Sequence, residues 1–105
     1  MSGSSLIDWV TEAAAGELIE RVVIGKHEDW PSDTPCNTLL AWEEARPHLK
    51  KQFYSGFGGA GWPPIFAWTK TRVIFVGEYD GATHIAWVPR DPSACEPEHS
   101  GNSIY

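Results

Sequence analysis

Residues 64–90 read PIFAWTKTRVIFVGEYDGATHIAWVPR, and this stretch decides the fold. Two segments rich in β-branched and aromatic residues, 72–79 and 83–89, flank Asp80-Gly81. That dipeptide suits the positive φ angles of a two-residue type I′ turn, so the segments are expected to pair as a hairpin. A third apolar run, 65–69, precedes them across Lys70-Thr71 and predicts a three-stranded antiparallel meander. Within 72–79, Val73, Phe75 and Gly77 share one face, while Ile74, Val76 and Glu78 share the other. Apolar residues in both sets predict a central strand covered at least partly on both sides.

Working outward toward the N-terminus, Ser5 and Asp8 have capping-box spacing, with Asp replacing the usual Glu or Gln. Leu6, Ile7, Val10, Ala13 and Ala14 recur at helical spacing, and Gly16 is a natural C-cap. The next stretch, ELIERVVIGKH, fits a helical face or a strand. The β-branched run Val22-Val23-Ile24, ending at Gly25, favours a strand over 19–26. Pro31, Ser32, Asp33, Pro35 and Asn37 mark a loop over 27–37.

A second helix is expected in TLLAWEEARPHLKKQFY, residues 38–54, with Leu39, Trp42, Leu49 and Phe53 on one face. Pro47 removes the bond back to Glu43, so it should kink this helix or end a first short turn. GFGGAGWPP, residues 56–64, breaks regular structure before the meander. The order predicts an α+β domain over 1–92: an antiparallel sheet of about four strands with two helices on one face. Residues 93–105, rich in Pro, Ser and acids, are expected to form a mobile tail.

The chain has 105 residues, enough for one domain with a sizeable core. Its six Trp exceed what this length leads one to expect; most should serve the core and one or two a contact surface. The formal net charge is −6, and it is unevenly spread. Up to Ala45 there are nine acids against Arg21 and Lys26, and from Arg46 to Val76 five bases and no acid. The plain reading is a set of solvated faces. The sharper one is an acidic face that steers association with a basic partner.

No apolar run reaches the roughly 18 residues of a membrane span. A positive region followed by an apolar stretch is missing from MSGSSLIDW, so a cytoplasmic protein is expected. Cys36 and Cys95 are too few and too far apart for a disulfide framework and are expected to be free thiols.

Gly56, Gly58 and Gly61 match G-x-G-x-x-G, but the run follows an expected helix and leads into Trp62-Pro63-Pro64. Phosphate binding needs that motif to open a helix, so a connector is the better reading. His27, His48, His84 and His99 lack zinc-ligand spacing with each other or with the cysteines, and no metal or other cofactor is expected. Glu43 and Glu44 are adjacent, so on a helix they diverge by about 100° and cannot embrace one bond. No catalytic motif emerges, and the chain is expected not to be an enzyme.

Two binding surfaces suggest themselves. Arg46, Lys50, Lys51, Lys70 and Arg72 stand among Phe53, Tyr54, Phe57, Trp62, Phe66 and Trp68, the ingredients of a single-strand nucleic-acid platform. The net acidity opposes that use. The stronger candidate is HEDWPSD, residues 27–33, where Glu28, Asp29 and Asp33 surround Trp30, with Glu43 and Glu44 extending the negative patch. An aromatic anchor ringed by acids suits a basic protein surface; the plainer alternative is a polar loop whose Trp folds back on the core.

The expected function is therefore non-enzymatic binding that occludes a basic site on another protein. Inhibitors encoded by phages or mobile elements and immunity proteins are of this type. A nucleic-acid module on segment 46–72 and a small ligand-binding or enzymatic α+β domain are the alternatives. A monomer or weak homodimer is expected, since an uncovered sheet edge could pair with a second chain through the region of Trp62 or Trp68.

Overall fold

The computed structural model describes residues 4–26, 33–50, 52–53, 63–79, 82–97 and 101–103. The elements are β1 (Ser4–Ser5), α1 (Leu6–Ala13), β2 (Arg21–Ile24), β3 (Leu40–Ala41) and α2 (Trp42–Ala45). A 3-10 turn (Arg46–Leu49) follows, then β4 (Gln52–Phe53), β5 (Ile65–Trp68), β6 (Arg72–Tyr79), β7 (Ala82–Pro89) and β8 (Asn102–Ser103). The main sheet is antiparallel with six strands in the order β3-β2-β5-β6-β7-β8, and β1 pairs separately with β4.

The α+β architecture and the meander match the sequence reading. Phe66, Ala67 and Trp68 pair with Phe75, Ile74 and Val73, and β6 pairs with β7 from Arg72–Pro89 to Tyr79–Ala82. Asp80 and Gly81, the expected turn, lie outside the described residues. The sheet is wider than anticipated because two-residue strands extend both sides. β3 pairs with β2. At the other end, Asn102–Ser103, in the expected tail, returns to pair with Ala86 and Trp87 of β7. Gly101 permits that return: its φ is +73°, and a Cβ there would sit 2.7 Å from the Phe75 ring. A left-handed backbone under an aromatic ring calls for the residue without a side chain.

The single long second helix does not form. Leu40–Ala41 is strand, α2 has four residues, and the chain tightens to 3-10 at Arg46 before Gln52–Phe53 becomes strand again. Two forces account for this. Leu40 is needed opposite Val22 at the edge of β2, and Pro47 cannot donate the bond a continuing α-helix requires. Leu39, expected on the apolar helix face, is 60% exposed, whereas Leu49 is buried.

Alternation in the strands sorts their side chains cleanly. Val22, Ala67, Ile74 and Trp87 form one cross-strand row on one face, and Ile24 with Ile65 adds a second. These pack with Leu6, Val10 and Ala13 of α1, Ala45 of α2 and Leu49 into one core cluster, so both helices cover the same face. Trp9, Trp42 and Trp87 are half-buried against that cluster.

A polar latch closes the sheet end where β5 turns into β6. The Thr69 hydroxyl donates to Glu17 Oε1 at 2.6 Å, and the Thr71 hydroxyl to Oε2 at 2.6 Å. Arg72 donates to the Ala13 carbonyl at 2.8 Å and stacks over the Trp87 ring, 3.8 Å from its centroid. Arg90 reaches both Glu20 (2.9 Å) and the Thr69 carbonyl (2.8 Å). The link between α1 and β2 is thereby fixed to the meander.

Candidate functional site

Alternate strand residues point away from the helices and build the opposite face. Arg21, Trp68, Val73 and Val88 make one cross-strand row, and Val23, Phe66, Phe75 and Ala86 the next. Phe66 is 53% exposed and Val88 38%. The rings of Phe66 and Trp68 lie 6.1 Å apart and tilted by 58°, a favourable aromatic contact. Beside them a cleft of about 350 Å³ is lined by Val23, Gly25, Asn37, Pro64, Phe66 and Phe75, among others. Its floor is tight: the Gly25 N–H donates to the Pro64 carbonyl at 2.6 Å, and a Cβ on Gly25 would lie 3.0 Å from that oxygen. At the neighbouring end His84 lies across Gly77, where a Cβ would be 2.6 Å from Nε2.

Charge is divided between the two sides. Asp8 and Glu12 on α1 and Glu43 and Glu44 on α2 are all exposed, which makes the helical layer acidic. On the open face, the two rows of strand residues named above hold no carboxylate, and their one charged group is Arg21.

Of the sequence-derived contact residues, Glu28, Asp29 and Trp30 lie outside the described residues, and Asp33, Glu43 and Glu44 are exposed. Asp33 precedes Cys36, which bridges Ile24 at one end of β2; Glu43 and Glu44 follow Ala41, which pairs with Arg21 at the other. They therefore flank the same sheet edge, Asp33 toward one end of β2 and the two glutamates toward the other. Both glutamates also have local work. Glu44 accepts the Ala41 N–H at 2.9 Å, capping α2, and Glu43 pairs with Arg46 at 3.3 Å.

The basic aromatic segment is divided by the fold. Phe66 and Trp68 reach the open face, Arg72 turns to the helical side, and Arg46 belongs to the helical layer. Lys51, Tyr54, Phe57 and Trp62 lie outside the described residues. Cys36 and Cys95 are free thiols. Among the described residues, no group of three or more His, Cys, Asp or Glu converges as metal ligands, and no helix is long and apolar enough to cross a membrane.

The Glu17 carboxyl is clearly displaced in acidity. The Thr69 and Thr71 hydroxyls hold it below the ordinary carboxylate range, aided by the Thr71 N–H and Arg72 and opposed by partial desolvation. Its partners are all structural, so its perturbation marks the latch rather than a reaction centre.

Fold and surface together define a one-sided α+β sandwich: an antiparallel sheet with an acidic helical layer on one face and an aromatic, carboxylate-poor face on the other. Comparison with known protein families, curated proteins and solved structures gives no match.

Proposed function

We propose that this chain is a non-enzymatic binding protein whose acidic helical side meets a basic site on another protein. The supporting observation is the segregation of charge: Asp8, Glu12, Glu43 and Glu44 are exposed on the two helices, while the strand rows of the opposite face hold no carboxylate. A one-sided negative field orients a diffusing basic partner and raises its encounter rate. Asp33 near one end of β2 and Glu43 and Glu44 near the other, with Glu28, Asp29 and Trp30 in the chain before Asp33, form the contact set. An inhibitor that occludes a nucleic-acid-binding surface of a defence enzyme, or an immunity protein, would use such a field.

The test is capture from nuclease-treated lysate on the immobilised parent protein and on a Glu43→Lys/Asp33→Lys variant, at low and high salt. A partner held by the parent at low salt, released at high salt and missed by the variant supports the proposal. Equal capture by both proteins at low salt would sink it. Glu43 is reversed rather than Glu44 because Glu44 caps α2.

A further inference from the structure

We propose that the open face of the sheet is a self-association surface, and that its occupant is a second copy of this chain. The face is apolar and partly exposed over Val23, Phe66 and Phe75 in one row and over Trp68, Val73 and Val88 in the other, with the buried Ala86 at the end of the first and Arg21 at the end of the second. Such a contiguous patch marks a contact surface more often than bare solvent.

Two features select a second copy. The first is shape. Phe66 stands half out of the surface and also forms one wall of the adjoining 350 Å³ cleft. A two-fold contact requires the same patch to present both a projection and a recess, and this one does. The second is charge. Each copy carries −6, so most mutual approaches bring carboxylates together. The strand rows of the open face hold none, so two copies meet there with the least like-charge repulsion. The pairing leaves both acidic helical layers outward and so stands independently of the partner proposed for them.

Sedimentation equilibrium over a wide micromolar range tests this directly. The parent should show a monomer–dimer equilibrium that tightens at high salt, because salt screens the net repulsion and spares apolar contact. Phe66→Asp should weaken dimerisation roughly tenfold or more by placing a carboxylate at the centre. Val88→Asp, on the same face but outside the cleft lining and 38% exposed, should do so more mildly and keeps the test alive if the first variant does not fold. Leu18→Asp, on the exposed link between α1 and β2, should leave association unchanged. A parent that stays monomeric at every concentration, or a folded Phe66→Asp that dimerises as well as the parent, overturns the proposal. So does saturable quenching of tryptophan emission by a single-stranded oligonucleotide with no dimer present, which would assign the face to nucleic acid.

Discussion

Strand β5 shows both sides of the molecule in four residues. Ile65 and Ala67 point to the helices and are 3% and 0% exposed, while Phe66 between them is 53% exposed. The largest of these side chains is the one left in water. Burial here follows what lies above the residue, and α1 with α2 lies above one face alone. The covered face accordingly carries the stability of the fold.

That contrast yields the largest expected effect. Ile74 is fully buried on the central strand β6, at the middle of the covered face. Ile74→Ala should cost about 2–5 kcal/mol, from lost transfer energy and the cavity left behind. Phe66→Ala removes more carbon from the adjacent strand yet should cost no more than about 1 kcal/mol in the monomer, since its ring is half in water already. Denaturant unfolding of both variants at low protein concentration makes the comparison. Equal losses would mean that the open face is covered in solution.

Gly25 and Pro64 test the floor of the cleft. A Cβ at Gly25 meets the Pro64 ring at 2.7 Å and its carbonyl at 3.0 Å, and the backbone atom cannot swing aside. Gly25→Ala should destabilise by about 1–3 kcal/mol, an overpacking penalty. It should also disturb the cleft, so dimerisation should weaken even in conditions where the variant is fully folded. Unfolding and sedimentation on the same sample separate the two effects.

The meander was legible because strand period, Asp80-Gly81 and the polar link before Arg72 all pointed the same way. The segment from Leu39 to Phe53 was misread because helix-forming residues at helical spacing fill it, and the demand for Leu40 beside Val22 is tertiary. β8 was invisible for a related reason: Asn102 and Ser103 are poor strand formers, and only the open edge of β7 recruits them. In β5 and β6 both alternating sets are apolar, so periodicity showed two faces without saying which the helices would take. The exposed acids Asp33, Glu43 and Glu44 could be picked from composition and turn residues. The aromatic face could not, because Phe66 and Trp68 look like core until the helices are placed. Glu17 gave no signal at all, since its partners Thr69 and Thr71 are more than fifty residues away.

Acid should loosen the latch at Glu17. Its carboxyl is held below the ordinary value of 4.5, so the charged form is favoured by folding. The stabilisation is fully present above that value and is lost as pH falls through the lower folded value. Glu17→Gln keeps one acceptor oxygen and removes the titration. The variant should melt at a lower temperature near neutrality and show a flatter acid limb between about pH 5 and pH 2. Parallel melting curves that differ by a constant offset at every pH would show that Glu17 titrates the same way folded and unfolded.

The smallest effect belongs to the acidic layer, where Glu43 and Arg46 form an ion pair with side chains 78% and 44% exposed. Exposed pairs lose most of their Coulomb energy to water and pay for ordering two long side chains, so the coupling should be no more than about 0.5 kcal/mol. A double-mutant cycle of Glu43→Ala and Arg46→Ala, read by denaturant unfolding at low and high salt, measures it. A larger coupling that survives high salt would make the pair part of the scaffold and assign α2 to stability rather than to contact. A negligible one leaves Glu43 free to exchange Arg46 for a partner's base. In that case Arg46→Ala should keep its melting temperature and associate faster with the captured basic partner, because the mutation removes a cation from the face the partner approaches.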